Sequence, residues 1–126
     1  MGNPHLVILV DDPATVDLAT EGAWLEQQFP HGVNVEYIAP YGSGGLTLRV
    51  WERGAGITEA CGTGACAAAF EAHRWGLVGN EVRVTMPGGT ATVLLDGDGG
   101  VTLIGPSVHI ADVEIETAGD RTPVEA

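Results

Sequence analysis

The residue in this sequence best placed for chemistry is Cys61, which lies where a glycine-containing turn leads into an apolar helix. Gly62 and Gly64 follow it and let the backbone approach another group closely. Because a helix N-terminus carries unpaired N–H groups and the positive end of the helix dipole, it stabilises an anion. A thiol there can have its pKa lowered from about 8.5 to between roughly 3.5 and 7.5. We therefore expect Cys61 to be reactive; the alternative is a small buried cysteine in a turn.

The same turn offers a site for a second anion. The backbone amides of Gly62 and Thr63 are predicted to hold a substrate carboxylate or a developing enolate. The other cysteine, Cys66, lies among alanines inside the helix and is predicted to be a core residue. A metal site built on Cys61 and Cys66 would need a second pair of ligands at suitable spacing, so no metal is expected.

Five further polar residues lie near the ends of predicted strands. Glu52 and Arg53 close the strand before the cysteine turn. In a site they would supply an acid for an ammonium group or thiol and a fork for a carboxylate, so we expect both to face the cysteine cleft. Solvated charges are the alternative. For Asn3 the structural alternative is a role in a turn. Asn34 could be an edge residue of the sheet, or it could bind an amino acid head group. His5 could accept a proton or form a hydrogen bond.

The composition excludes several classes of function. The net charge of −12 and the sequence pI of about 4.3 argue against nucleic acid and anionic membranes as partners, because both are bound through clustered cations. All five cations are arginine, so the chain lacks the lysine that a pyridoxal phosphate enzyme or a P-loop requires. No signal peptide is recognised, and the aliphatic run at 6–10 is too short to cross a bilayer. We expect a reducing, cytoplasmic compartment.

The pattern of apolar residues and turns predicts one α+β domain over residues 1–116, followed by a polar tail over 117–126. A first helix is expected to begin at Asp12 and Pro13 and to end near Gln28. A second helix, rich in alanine, runs into Gly76 as its C-cap. Because it is small and apolar on every side, we expect the strands to surround it. The predicted strands are 6–10, 33–41, 46–51, 81–86, 90–95, 101–104 and 108–115.

Taken together, several motifs in this order closely resemble diaminopimelate epimerase. The resemblance covers roughly residues 1 to 116 and corresponds to only the second half of that family's sequence. The motifs are Gly2-Asn3-Pro4-His5, Phe29-Pro30-His31-Gly32-Val33-Asn34-Val35-Glu36, Trp51-Glu52-Arg53-Gly54, Ala60-Cys61-Gly62-Thr63-Gly64-Ala65-Cys66-Ala67, Met86-Pro87-Gly88-Gly89 and Gly105-Pro106.

The resemblance implies an isomerase that needs neither pyridoxal phosphate nor any other cofactor. Members of the family interconvert the LL and meso forms of 2,6-diaminopimelate in the synthesis of lysine and peptidoglycan precursors. Their fold has two similar halves, each a curved, mostly antiparallel sheet around a central helix, and the site lies between them. Two cysteines face the α-carbon from opposite sides. One removes a proton as thiolate, and the other delivers a proton as thiol.

Three residues of this chain match the family's acid and base groups. Cys61 corresponds to the cysteine of the second half, and its counterpart belongs to the absent N-terminal half. Glu52 resembles the acid near that cysteine and would also help to hold the distal ammonium group. His5 resembles the residue that assists the partner cysteine.

The resemblance also implies a set of substrate contacts. Asn3 and Asn34 would bind the substrate, and Arg53 would pair with its distal carboxylate. Gly62 and Thr63 would hold the reacting carboxylate through their backbone amides.

We expect the chain to fold alone but to be inactive without the N-terminal half, since one thiol serves only one face of the α-carbon. A homodimer that brings two Cys61 residues together is a second arrangement. Two other functions stay open: a non-catalytic amino-acid-binding module and half of a proline racemase or hydroxyproline epimerase. The pair formed by Glu52 and Arg53 favours a substrate with distal charges. A relative of the phenazine-biosynthesis isomerases is a weaker alternative, because that group does not use this cysteine turn.

Overall fold

The computed structural model describes residues 2–115. In this range the chain forms one sheet, two α-helices and a 3₁₀ turn at Pro13–Thr15. The helices are α1 (Leu18–Gln27) and α2 (Gly62–Arg74), and the strands are β1 (His5–Leu9), β2 (Asn34–Tyr41), β3 (Gly45–Glu52), β4 (Gly56–Thr58), β5 (Glu81–Met86), β6 (Gly89–Leu95) and β7 (Val101–Ile104).

The strands lie in the order β1-β2-β3-β5-β6-β7, with β4 paired to β3. The pairs β1/β2 and β3/β5 are parallel, and the other four pairs are antiparallel. Each parallel pair needs a crossover connection, because a hairpin can only join antiparallel strands. The 3₁₀ turn and α1 connect the first pair, and β4 and α2 connect the second. The predicted fold class, a mostly antiparallel sheet around a central helix, is confirmed.

Helix α2 is enclosed because its side chains are small. Ala65, Ala68, Ala69 and Ala72 have no exposed surface, and they pack against aliphatic side chains from the sheet. The helix contacts every strand except β4. Its C-terminus is closed as predicted by Gly76, which adopts a positive φ of 74° and donates its N–H to the His73 carbonyl at 2.9 Å.

The other face of the sheet packs against α1. Because successive side chains of a strand point to opposite faces, the residues of β2 divide between two cores. Ile38 packs against α2, whereas Val35 and Tyr37 pack in the cluster that contains Leu18 of α1. Gly22 lets α1 approach closely, because a Cβ there would lie 2.6 Å from Trp51 Cβ. The sheet therefore has one hydrophobic core on its α2 face and a second on its α1 face.

Two predicted elements differ from the structure, and one strand of the structure was not predicted. Residues 108–115 form no strand, because they find no partner strand among the described residues, and their apolar side chains are exposed. The first helix is split: the Asp12 side chain caps only the 3₁₀ turn, and α1 begins after Asp17, whose carboxylate accepts from Thr20 N. Strand β4 was not predicted. The polar tail predicted for 117–126 lies outside the described residues.

Candidate active site

Cys61 is the N-cap residue of α2. Its backbone is extended, with φ −144° and ψ 112°, and its sulfur accepts the Gly64 N–H at 3.3 Å. The Thr63 hydroxyl lies 3.6 Å from the same sulfur. The thiol therefore occupies the position that a serine or aspartate side chain takes at many helix starts, where it meets the N–H groups that lack partners within the helix.

The expectation that the helix N-terminus lowers the pKa of Cys61 is wrong for this chain. Burial raises the pKa of the Cys61 thiol, and the nearby carboxyls of Glu52 and Glu36 raise it further. Hydrogen bonds from Thr63 and from the Gly64 amide act in the opposite direction but do not outweigh burial. A thiolate loses more by leaving water here than it gains from two donors.

The turn that carries Cys61 is joined to the N-terminal segment. Asn3 Nδ2 donates to Thr63 Oγ1 at 3.4 Å, so these two predicted substrate contacts lie together beside the sulfur. Gly62 and Thr63 are the first two residues of α2, and their amides have no acceptor in a preceding helical turn. Both residues are exposed, so these amides lie at the surface next to the thiol.

His5 does not stand alone, since its Nδ1 lies 2.7 Å from Glu36 Oε1 on the neighbouring strand. The His5 side chain is 6% exposed and the Glu36 side chain 0%. Burial raises the pKa of Glu36 to about 8, and Glu52 contributes to the same rise. Burial also lowers the pKa of His5. Both shifts favour an uncharged pair, because charge is costly in an apolar environment.

Glu52 is held close to these groups at the end of β3. The Thr58 hydroxyl on β4 donates to Glu52 Oε1 at 2.6 Å. The influence of Glu52 on the pKa values of both Cys61 and Glu36 places its carboxyl near each of them. The hairpin that β4 makes with β3 thus holds a predicted acid on the face of β3 that carries Leu48, which is the α2 face.

Asn34 is buried and its side chain bonds to the backbone. Its Nδ2 donates to the Pro4 carbonyl at 3.2 Å, and its Oδ1 accepts the Arg53 N–H at 2.8 Å. These two bonds join the segment before β1 to the segment after β3. In this structure Asn34 fixes the relative positions of the two segments that carry His5 and Glu52.

Arg53 is not brought to Cys61. Its guanidinium donates to the His31 carbonyl at 3.1 Å, and its aliphatic stem lies against Gly32. Glu26 of α1 borders the same glycine, so Arg53 lies on the α1 side of the sheet. The physical reason is that successive side chains of a strand point to opposite faces of the sheet. Glu52 shares the α2 face with Leu48, so Arg53 points to the α1 face.

A groove of about 250 Å³ adjoins the cysteine turn. It is lined by Gly62, by Leu103 of β7 and by residues of two of the quoted motifs, among them Met86, Gly88 and Pro106. Gly88 N donates to the Glu59 carbonyl at 2.8 Å, and a Cβ at Gly88 would lie 3.0 Å from that oxygen. The turn between β5 and β6 therefore supports the segment before Cys61, and a side chain at Gly88 would crowd the Glu59 carbonyl.

A larger concave surface, of about 510 Å³, lies beside α1. Its acidic residue, Glu26, is already bonded to Trp51 Nε1 at 2.7 Å and to Gly54 N at 3.2 Å. The chemistry-bearing side chains instead lie at the start of α2, so we place the site there. Residues 2–115 contain no cluster of three potential metal ligands, and none of their helices is long and apolar enough to span a membrane.

The family model for diaminopimelate epimerase matches residues 1–110. The chain belongs to the diaminopimelate epimerase family. It is 48% identical over 111 residues to the diaminopimelate epimerase of Erythrobacter litoralis, which covers 86% of this chain and 41% of that protein. It is 44% identical over 119 residues to the enzyme of Bacteroides thetaiotaomicron, covering 92% of this chain and 45% of that protein. The chain thus spans less than half the length of these relatives.

Solved structures show the same fold at low sequence identity. A phenazine biosynthesis protein of the PhzF family from Enterococcus faecalis superposes with a TM-score of 0.61 at 18% identity, covering 76% of this chain and 35% of that one. A PhzF-family phenazine biosynthesis protein from Bacillus anthracis superposes with a TM-score of 0.56 at 15% sequence identity, and the match covers 82% of this chain and 34% of that one. These likenesses concern the fold alone. The family prediction is confirmed, and the partial coverage of the epimerases fits a half-domain.

Two residues of the site were missed by sequence reasoning. Glu36 was quoted only as part of a motif, and Thr58 was not considered. The available signal for Glu36 was its place within an otherwise apolar strand, between Val35 and Tyr37. For Thr58 the signal was the glycine-rich turn after Glu52, which allows a short hairpin.

Proposed function

We propose that this chain supplies one of the two thiols of a diaminopimelate epimerase, with Cys61 as the group that exchanges a proton with the substrate α-carbon. The observation that carries the proposal is the position of Cys61 as N-cap of α2, next to the exposed amides of Gly62 and Thr63. Membership of the epimerase family supports it. The chemistry is an inversion without cofactor, so the protein side chains must provide both acid and base.

The inversion conserves protons and electrons. A thiolate on one face of the α-carbon takes the α-proton and becomes a thiol, and the C–H electron pair remains on the substrate as a carbanion or enolate. A thiol on the opposite face then gives its proton to the carbon and becomes a thiolate. Two groups on opposite faces are needed, because one group would return the proton to the face it left.

Cys61 would enter this cycle as the thiol. Since burial and the neighbouring carboxyls raise the pKa of Cys61, it rests protonated at neutral pH and is ready to deliver its proton. The counterpart cysteine would then rest as the thiolate and act as the base. After one turnover the protonation states of the two groups are exchanged, and the reverse reaction restores them.

The substrate would be held at both ends. The Gly62 and Thr63 amides would bind the reacting carboxylate, whose charge grows as the α-proton leaves, while Asn3 would contact the same head group. At the distal end Glu52 would hold the ammonium group. Asn34 would act on the substrate through the segments that it joins.

By itself this chain would be inactive as an epimerase. Its turn provides a donor for one face of the α-carbon only, and residues that act as a unit lose orders of magnitude in rate when one is removed. The N-terminal half would bring the second cysteine and exclude water from the site, which strengthens the interactions that stabilise the carbanion. Free thiols are required throughout, so a reducing compartment such as the cytoplasm suits this chemistry.

The test is hydrogen–deuterium exchange at the α-carbon of diaminopimelate in D₂O, followed by NMR. We expect negligible exchange with this chain alone, and rapid exchange when the N-terminal half of a relative is added in trans. Cys61→Ala should abolish the restored exchange, whereas Cys66→Ala should retain it. Rapid exchange by the chain alone that Cys61→Ala abolishes would instead show a homodimer with two Cys61 thiols. Unchanged exchange in the Cys61→Ala mixture would exclude Cys61 as the proton carrier.

A further inference from the structure

Two buried polar atoms in residues 2–115 lack a hydrogen-bond partner, and they belong to one pair of side chains. They are His5 Nε2 and Glu36 Oε2. The other two polar atoms of these groups, His5 Nδ1 and Glu36 Oε1, are 2.7 Å apart. Buried polar groups without partners are uncommon in proteins, because each one loses its hydrogen bonds to water. Two such atoms on one bonded pair therefore call for a functional explanation.

The pair lies behind the cysteine turn. At Gly64, the third residue of α2, a Cβ would lie 3.0 Å from Glu36 Oε1 and 3.2 Å from Cys61 Sγ. The carboxyl and the sulfur thus border the same point, and any side chain larger than hydrogen there would press on both. His5 and Glu36 are neighbours on the parallel strands β1 and β2, where His5 pairs in register with Asn34. The glutamate is therefore built into the wall of the site.

We propose that Glu36 is a positioning residue that binds His5 through Nδ1 and shares a proton with it, so that Nε2 can change from proton donor to proton acceptor. This inference rests on the proposed function and on the role that the family resemblance implies for His5, which is to assist the counterpart cysteine. A buried histidine without such a partner has no nearby group that can give a proton to Nδ1 when Nε2 loses its own. With Glu36 beside it, the ring has a proton source that lies inside the protein and away from solvent.

The proton count of the pair is explicit. In the neutral state the Glu36 carboxyl donates to Nδ1, and Nε2 carries the ring proton. When Nε2 gives that proton to a thiolate, Nδ1 takes the proton of Glu36. One N–H bond breaks and another forms, so the ring stays neutral and the negative charge moves from sulfur to the carboxylate. The reverse transfer returns the proton to Nε2.

The surroundings of the pair favour this exchange over a fixed ion pair. The other titratable groups that act on Glu36 or lie beside it are Glu52 from β3 and Cys61 from α2. Neither is a cation that would hold Glu36 as a carboxylate. The pKa of Glu36 is raised to about 8 and the pKa of His5 is lowered, so the neutral state prevails at pH 7 and the proton is available for transfer.

The experiment uses the 126-residue chain with ¹⁵N-labelled histidine and ¹³C-labelled glutamate, followed by NMR between pH 5.5 and 9.5. We expect His5 to carry its proton on Nε2 at neutral pH. With rising pH the Glu36 carboxyl should lose its proton while the His5 proton moves to Nδ1, with one shared midpoint. In Glu36→Gln the His5 change should vanish. The matched control Glu26→Gln, which removes a carboxylate of α1 on the other face of the sheet, should retain it.

Separate midpoints for His5 and Glu36 in the unsubstituted chain would overturn the proposal, and so would an unchanged His5 titration in Glu36→Gln. If Glu36→Gln does not fold, the shared midpoint of the unsubstituted chain still decides. These spectra require no turnover, so they are independent of the proposed epimerase function. A shared midpoint together with failed restoration of α-carbon exchange would sink the proposed function and leave the proton-sharing pair in place.

Discussion

The two faces of the sheet use polar side chains in different ways. On the α1 face, polar groups are bonded in pairs: Tyr37 donates to Glu21 at 2.8 Å and Trp51 donates to Glu26 at 2.7 Å. Arg49 donates to the carbonyls of Pro13 and Val16 at 3.2 and 3.4 Å. On the α2 face, an alanine-rich helix begins at a thiol, and the buried carboxyl of Glu36 and imidazole of His5 each keep an atom without a partner.

This difference distinguishes polar side chains that stabilise the fold from polar side chains that are placed for proton transfer. Paired groups on the α1 face add to stability, because each hydrogen bond replaces one made to water. The unsatisfied groups on the α2 face lower stability, since burial without a partner costs free energy. They are tolerated where a proton has to be moved. Functional sites in proteins commonly contain such unfavourable groups. Among the described residues, the buried polar atoms without a partner lie on the α2 face.

The largest effect on stability is expected where α2 packs against the sheet. Ala68→Leu adds bulk to a helix position with no exposed surface, so it should lower the free energy of unfolding by about 1–3 kcal/mol. Urea unfolding followed by circular dichroism measures the loss. The control Ala19→Leu, at an exposed position of α1, should change it by less than about 0.5 kcal/mol. Equal effects at the two positions would contradict the enclosed placement of α2.

A second effect should appear in the pH dependence of stability. With its pKa raised to about 8, folded Glu36 keeps a proton that the unfolded chain releases near its ordinary value of 4.5. This favours unfolding as pH rises. His5, with its lowered pKa, acts in the opposite direction below its ordinary value of 6.5. Just below pH 6.5 the His5 effect opposes that of Glu36, and between 6.5 and 8 the free energy of unfolding should fall by about 1.4 kcal/mol per pH unit.

Glu36→Gln is the variant that isolates this effect. It should remove the fall between pH 6.5 and 8 and leave stability rising with pH below 6.5, because only the His5 contribution remains. Denaturation midpoints at a series of pH values give both slopes, and Glu26→Gln serves as the charge-matched control. A slope in Glu36→Gln equal to that of the unsubstituted chain would show that Glu36 is ionised in the fold.

The smallest effect tests the α1 face. Tyr37→Phe removes the hydrogen bond to Glu21 from a residue that is almost fully buried, and it should lower the free energy of unfolding by about 1 kcal/mol. Tyr41→Phe removes a hydroxyl contact with Thr85 at the surface and should cost less than about 0.5 kcal/mol. A gain in stability in Tyr37→Phe would show that polar groups on this face are not paired as described.

The sequence was most informative where local chemistry decides the structure. The strand over Glu81–Met86 and the Gly76 cap of α2 were predicted because apolar runs and special turn residues act locally. The strand predicted for 108–115 was wrong, since a strand also needs a neighbour. The parallel pairing of β1 with β2 was not predicted, because it depends on distant segments.

For the candidate residues, the sequence predicted the place along the chain of helices and strands more fully than the direction and surroundings of the side chains. Cys61 lies at the helix start as expected, but its pKa shift has the opposite sign because burial outweighs the helix terminus. The common direction expected for Glu52 and Arg53 overlooked the alternation of side chains at a strand end. Glu36 was missed because glutamate in a strand is usually solvated, and only the tertiary structure encloses it.

The most direct test of the central claim is the relative reactivity of the two thiols. Both cysteines are 8% exposed, but Cys66 lies within the α2 core cluster while Cys61 borders the exposed turn. Alkylation with iodoacetamide across pH 6 to 10, followed by peptide mapping, measures each rate, and Cys61→Ala and Cys66→Ala confirm the assignments. We predict faster modification of Cys61, with a midpoint above the ordinary thiol pKa. Preferential modification of Cys66 would contradict the assignment of Cys61 as the proton-carrying thiol.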